Sequence, residues 1–197
     1  MKERGIIFNA EMVRAILDGR KTQTRRIVKN VMPDNGIWLK KPTKTRSGAT
    51  THVLDAPKHN LCPLGKVGDR LWVRETFKTG VCTESTIAYK ATHKPSDLEE
   101  GWYEEIKWTP SIHMPRRYSR ITLEITNIRV ERLNDISQSD AIAEGAPPSH
   151  PTIDAISREC GFPDFSRSWF GQTWWHIYGK KNWQDNPWVW VIEFKRI

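Results

Sequence analysis

Two stretches of this chain are best satisfied by a β-sheet, and they constrain everything around them. In residues 121–131 (ITLEITNIRVE), Ile121, Leu123 and Ile125 keep one phase while Ile128 and Val130 take the other. Apolar and polar residues alternating at period two mark a half-buried strand. The phase slips at Asn127, so a β-bulge is expected there. Residues 188–195 (WVWVIEFK) are instead almost continuously apolar, which predicts a closing strand buried on both faces.

Shorter candidates surround these two. Residues 5–8 (GIIF) suit a first strand. Asn9 offers an N-cap, and Met12, Val13, Ile16 and Leu17 recur at helical spacing before Gly19, predicting an amphipathic helix over 10–18. Residues 21–28 are basic and β-branched and read as a strand, as do 70–77 after a turn at 65–69, and 89–91. Ser137-Gln138-Ser139-Asp140 has the capping-box form, with Asp in place of Glu, and opens a short helix through Glu144 that Gly145 closes. Residues 170–178 (FGQTWWHIY) are an aromatic-rich helical candidate. Segments 30–62, 78–118 and 146–185 have weak periodicity and read as insertions, the last with room for a short helix before 165. The expectation is an α+β chain, one domain over 1–197. It has five to six mostly antiparallel strands, two to four short helices and long loop insertions. A small barrel is favoured over a doubly wound sheet.

Charge narrows the partners. Residues 1–60 hold 13 Lys/Arg against 5 Asp/Glu, while 61–197 hold 18 of each, so the whole net charge of +8 originates in the first segment. A local basic surface attracts polyanions, nucleic acid foremost; the alternative is a solvated face with no partner. Cys62, Cys82 and Cys160 have no CxxC spacing, which argues against a disulfide framework or a zinc site and fits a reducing cytoplasm. Residues 1–8 are short and charged, unlike a signal peptide, and no apolar run approaches the ~20 residues that span a bilayer. A cytoplasmic protein without membrane contact, metal or cofactor is expected; neither a P-loop, a dinucleotide-binding glycine motif nor HExxH occurs. Of the ten Trp, Trp72, Trp174, Trp175, Trp188 and Trp190 are expected in the core rather than as base-stacking platforms.

Four features then follow one another along the chain. They are Gly19-Arg20-Lys21-Thr22-Gln23-Thr24-Arg25-Arg26; Gly68-Asp69-Arg70-Leu71-Trp72-Val73-Arg74-Glu75; Leu133-Asn134-Asp135-Ile136-Ser137 leading into Ala141-Ile142-Ala143-Glu144-Gly145; and Trp190-Val191-Ile192-Glu193-Phe194. Together they resemble the ASCH family, a relative of PUA domains, whose G-x-K-x-x-T/E-x-R signature is matched by Gly19, Lys21, Thr24 and Arg26. The resemblance covers about half the chain, and the remainder looks like the longer form found in phages and prophages. It implies a PUA-like β-barrel with a cleft facing nucleobases or RNA. Some small ASCH proteins are amidohydrolases that remove the acyl group from N4-acetylcytidine, using a Lys and a Thr of the signature and a Glu of the later short helix. The matching positions are Lys21, Thr24 and Glu144. Two other readings are a non-catalytic RNA- or DNA-binding module and an ASCH-type ribonuclease.

The residue types suit amide hydrolysis, which needs a nucleophile, a base, an acid for the leaving amine and donors for the oxyanion. Thr24 supplies a hydroxyl. Lys21 serves as base only if burial or neighbouring cations such as Arg20, Arg25 and Arg26 bring its pKa from about 10.4 toward 7–8. Glu144, at a helix end, is raised by the helix dipole toward an acid, or lowered if it pairs with Lys21. In a regular strand, 21 and 24 would point to opposite faces, so both reach one pocket only if Lys21 belongs to the turn after Gly19. Arg20, Arg25 and Arg26 are candidates for substrate or nucleic-acid contact; Arg26 in particular suits a phosphate or base edge, or else pairs with a carboxylate such as Glu75. One of Arg74 and Glu75 is expected to face the cleft, and Arg116 and Arg117 to lie in a basic loop that either forms a nucleic-acid-facing rim or is a plain surface loop. His113 has no second ligand at metal spacing.

Overall fold

The computed structural model describes residues 1–32, 36–40, 50–81, 86–94, 106–147 and 151–197. The strands among them are β1 (Glu3–Ile7), β2 (Gln23–Ile27), β3 (Trp38–Lys40), β4 (Thr50–His52), β5 (Arg70–Arg74), β6 (Phe77–Thr79), β7 (Ile87–Tyr89), β8 (Thr122–Arg132) and β9 (Trp188–Arg196). The helices are α1 (Ala10–Leu17), α2 (Gln138–Ala143), α3 (Pro151–Glu159), α4 (Phe165–Tyr178) and α5 (Lys180–Gln184). The architecture is α+β: a five-stranded sheet of order β1-β5-β8-β9-β2, with two small hairpin-like pairs, β3–β4 and β6–β7. Pairing is antiparallel throughout the large sheet except between β1 and β5.

The two diagnostic stretches become the central strands. The predicted bulge lies between Ile125 and Asn127, where Ile125 faces Phe194 and Asn127 faces Glu193. The extra residue reverses the parity of β8: Leu123 and Ile125 are buried before it, and Val130 after it. Arg129 and Glu131 thereby turn to the opposite face of the sheet. The continuous apolar run of β9 serves two cores. Trp190, Ile192 and Phe194 join Ile6, Phe8, Val13, Ile16, Leu71 and Val73 on one side. Val189 and Val191 join Leu133, Ala141, Phe170 and Trp174 on the other.

The ladder is not closed into a full barrel. Among the described residues β1 and β2 are its two edges. A side chain spans the gap: Arg26 Nη2 donates to the Ile7 carbonyl at 3.1 Å, with its guanidinium 5.5 Å from the Phe8 ring centroid. The short pairs β3–β4 and β6–β7 lie in stretches whose sequence reads as irregular insertion. Three-residue strands are too short to show period two. The strand expected over 89–91 is displaced, with Ile87–Tyr89 paired and the following residues in a turn.

Local signals set the helix ends as expected. Asn9 accepts from Met12 N, and Ser137 accepts from Asp140 N. The segment over 146–165 contains α3, and the aromatic stretch belongs to α4, whose N-cap is Asp164. No helix among the described residues is long and apolar enough to cross a membrane.

Candidate functional site

The site assembles where α1 hands over to β2. Gly19 adopts φ +77° and ends the helix, so Lys21 still lies in the turn, before β2 begins at Gln23. Lys21 is therefore outside the alternation of β2. Two backbone bonds hold the turn: Lys21 N to Ala15 O at 2.9 Å, and Thr22 N to Ala143 O at 2.8 Å. The second docks the end of α2 against it and brings Glu144 over Lys21. Gly145 follows at φ +106°, where a Cβ would stand 3.1 Å from Ala15 Cβ and 3.4 Å from Lys21 Cβ. Only glycine meets both demands.

Lys21 Nζ donates to Glu144 Oε2 and to the Glu144 carbonyl, each at 2.8 Å. Neither partner is on the surface: Lys21 is 2% exposed and Glu144 4%. The Phe8 ring centroid lies 5.5 Å from the ammonium. Burial holds the Lys21 pKa below its ordinary value; the Glu144 carboxylate opposes that shift, and Arg26 and Arg25 reinforce it.

Thr24 and Arg25 alternate across β2. Thr24, 1% exposed, pairs opposite Ile192 and faces the same side as Arg26. Its Oγ1 accepts from Arg26 Nη1 at 3.1 Å. Arg25 points the other way and is equally buried. It forms ion pairs with Glu131 at 3.0 Å, Asp140 at 3.2 Å and Glu144 at 3.4 Å, over the Phe170 ring. Its Nε has no hydrogen-bond partner. Arg129 extends the network to Asp140 at 2.8 Å and to Glu131 and Glu193. Burial pushes the Asp140 pKa up, but Arg25, a hydrogen bond with Ser137, and Arg129 outweigh it and hold the carboxyl below its usual range. Three cations thus face four carboxylates beneath the site.

Thr24, Arg25, Arg26 and Glu144 open onto a cleft at the free edge of β2, covered by Met12 of α1 and by Trp169, Thr173, Ile177 and Tyr178 of α4. Its free volume is about 20 Å³, room for roughly one water molecule. A pyrimidine therefore enters only after α4 side chains move. The arrangement can store and pass a proton between amine and carboxylate, and can present a hydroxyl and a guanidinium to a planar guest.

The remaining expected site residues are distributed as follows. Arg20 donates to the Gly145 carbonyl at 2.9 Å and pairs with Asp18, bracing the turn from outside. Glu75 is 1% exposed and forms a two-pronged pair with Arg120, both bonds at 2.9 Å. It is Arg120, not Arg26, that meets this carboxylate. Arg74 lies over Trp72 and donates to the Ile112 carbonyl. Arg116 pairs with Glu3 at 3.0 Å, and Arg117 sits on the Tyr118 ring. Arg20, Lys21, Arg74, Glu75, Arg116 and Arg117 are absent from the cleft lining, Lys21 lying behind Glu144. Sequence reasoning missed Glu131, Asp140, Arg129 and the α4 cover. The phase slip at Asn127 carries the signal for the β8 pair, since it decides which face they take. Trp174 and Trp190 are core, as expected, whereas Trp72, Trp175 and Trp188 are only partly buried. Cys62 and Cys160 are free thiols, and Cys82 lies outside the described residues. No cluster of three metal-ligating side chains occurs among the described residues.

No family model matches the chain. Over 111 residues it is 27% identical to Glycerol kinase 2 of Streptomyces avermitilis, a stretch that is 56% of this chain and 22% of that protein. The chain therefore spans about a fifth of that relative's length. Among solved structures it is similar to an ASCH domain from Lactobacillus crispatus JV V101, over 99% of this chain and 79% of the other, at 14% identity and a TM-score of 0.37.

Proposed function

We propose that the chain is an amidohydrolase of the ASCH type that removes the acyl group from N4-acylated cytosine nucleosides. The observation that carries this reading is the buried Lys21–Glu144 pair, 2.8 Å apart, whose carboxylate partner lines the same cleft as Thr24 while Lys21 lies behind it. An ion pair taken fully out of water gains little stability over an apolar replacement, and an amine and a carboxylate so placed can exchange a proton.

In the proposed reaction Lys21, made less basic by burial, takes the Thr24 proton as the hydroxyl oxygen attacks the acyl carbon. The C=O electron pair moves onto oxygen, and the Arg26 guanidinium, already bonded to Thr24 Oγ1, stabilises the oxyanion. The oxyanion collapses, the C–N4 bond breaks, and N4 leaves with a proton delivered through Glu144. Water, giving a proton to Lys21, then attacks the acyl–Thr24 ester; the C–Oγ1 bond breaks, Lys21 returns that proton to Thr24 Oγ1, and the acid product releases its own proton to solvent as the carboxylate. The reaction is tested by incubating the protein with N4-acetylcytidine and following cytidine and acetate. Turnover lost by at least about 100-fold in Thr24→Val and in Lys21→Met supports the assignment. Wild-type protein that releases no cytidine refutes it.

One observation favours a second reading, a nucleobase- or RNA-binding module without chemistry. The Thr24 hydroxyl bonds to Arg26 while both bonds from Lys21 go to Glu144. Salt-dependent RNA binding without turnover would select that reading, and cleaved RNA would select a ribonuclease.

A further inference from the structure

A second groove lies on the far side of α4, built by residues that the reaction above does not use. Its free volume is about 410 Å³, within the range of small-molecule sites and far larger than the cleft beside Lys21. Three segments converge on it: the turn after β8, the α3–α4 connection, and α5.

The lining has two kinds of chemistry. Trp175 and Trp183 flank Phe162, with ring centroids 5.7 Å and 5.9 Å away. Both indoles are only partly buried, and Trp175 Nε1 has no hydrogen-bond partner, so packing alone holds that ring. The second component is positive charge. Lys180 is exposed, with Nζ 5.6 Å from the Trp175 centroid. The Nε of Arg167 is bonded to Asp164 at 2.5 Å, which fixes the guanidinium at the groove wall. The amides of Asn134 and Gln184 complete the polar lining, and among the described residues the lining itself includes no carboxylate, Asp164 standing behind Arg167. Aromatic faces beside the exposed Lys180 ammonium and the remaining guanidinium nitrogens of Arg167 fit a planar ring that carries an anion.

We propose that this groove binds a nucleotide unit, its base against the Trp175 and Trp183 rings and its phosphate at Lys180 and Arg167. The unit is either a free mononucleotide or one residue of a single strand. The proposal shares no residue with the Lys21 site, so either can fail alone.

Cys160 lines the same groove with an exposed thiol and serves as a reporter of occupancy. The full chain is alkylated with iodoacetamide, and modification at Cys160 is followed by peptide mass spectrometry. Competitors are adenosine 5′-monophosphate, adenosine, inorganic phosphate and a ten-nucleotide oligo(dA). The expected result is alkylation slowed by about five-fold or more with the mononucleotide or the strand, and by much less with adenosine or phosphate alone. Protection by the mononucleotide assigns a free ligand; protection by the strand alone assigns single-stranded nucleic acid. Lys180→Ala, at an exposed position, should raise the half-protecting concentration by about ten-fold. Thr24→Val should leave it unchanged. Unaltered alkylation with both phosphorylated probes at millimolar concentration overturns the proposal. So does equal protection by phosphate alone, or protection that survives Lys180→Ala but vanishes in Thr24→Val.

Discussion

Lys21 carries a desolvation cost. Its ammonium is out of water, and its partners are the carboxylate and carbonyl of one residue. Removing the amine alone leaves a buried carboxylate that still pairs with Arg25 at 3.4 Å but loses its closer 2.8 Å partner. Lys21→Ala should cost about 3–5 kcal/mol in urea denaturation, while Lys21→Met combined with Glu144→Gln should cost much less. The lowered Lys21 pKa also gives a signed pH dependence. Between the folded value and the ordinary value near ~10.4, the unfolded chain holds a proton that the folded chain has released. Stability should therefore rise with pH through that window, and the penalty of burying the charge should be fully felt below it. Urea midpoints of the wild type should gain on those of Lys21→Met as pH rises. Parallel midpoints up to about pH 10 would show an amine that stays charged, and the base role would be lost.

At the scale of elements, the bulge in β8 does most to position the site. By reversing parity after Ile125 it sends Val130 into the larger core and Arg129 and Glu131 toward Arg25 and Asp140. Deleting Thr126 would restore regular alternation with Arg129 and Glu131 still on their present face, because residues 127–131 keep their pairing with β9, and that variant should still unfold in a single sharp thermal transition. Deleting Thr126 and Asn127 together would instead shift the parity and drive both charged side chains at the apolar core, and that transition should be lost. Thr126→Gly, which keeps the count and removes only an exposed side chain, should cost no more than about 1 kcal/mol. The same element logic applies to α4: one face covers the Lys21 cleft, and the other carries Trp175 and Arg167 into the second groove.

Across the whole molecule, charge distributed along the chain differs from charge distributed in space. The basic excess of the first 60 residues includes Arg20, Lys21, Arg25 and Arg26, yet Lys21 and Arg25 are buried against carboxylates contributed from 131–144. These cations are matched inside the fold and do not attract a polyanion from solution. Arg25→Met should consequently lower stability by about 3–5 kcal/mol, because it strips cover from three carboxylates. It should leave the salt slope of any RNA binding unchanged when anisotropy titrations are repeated across ionic strength. A slope that falls by about one would instead place the Arg25 guanidinium on a phosphate.

The sequence by itself determined the elements whose signal is local or periodic. These are α1 with its Asn9 cap, the Ser137 cap of α2, the alternating β8 with its slip, and the doubly buried β9. The sequence left open whether Lys21 belongs to the turn after Gly19 or to the strand, and the structure places it in the turn. The tertiary structure alone decided which charges meet. That Glu75 belongs to Arg120, that Arg25 gathers three carboxylates, and that β1 and β2 stay apart save for the Arg26 side chain all depend on contacts between residues far apart in the chain. Caps and alternation act over a few residues and can be read in order. Ion pairing and sheet closure act through space, and the spacing of residues along the chain does not encode them.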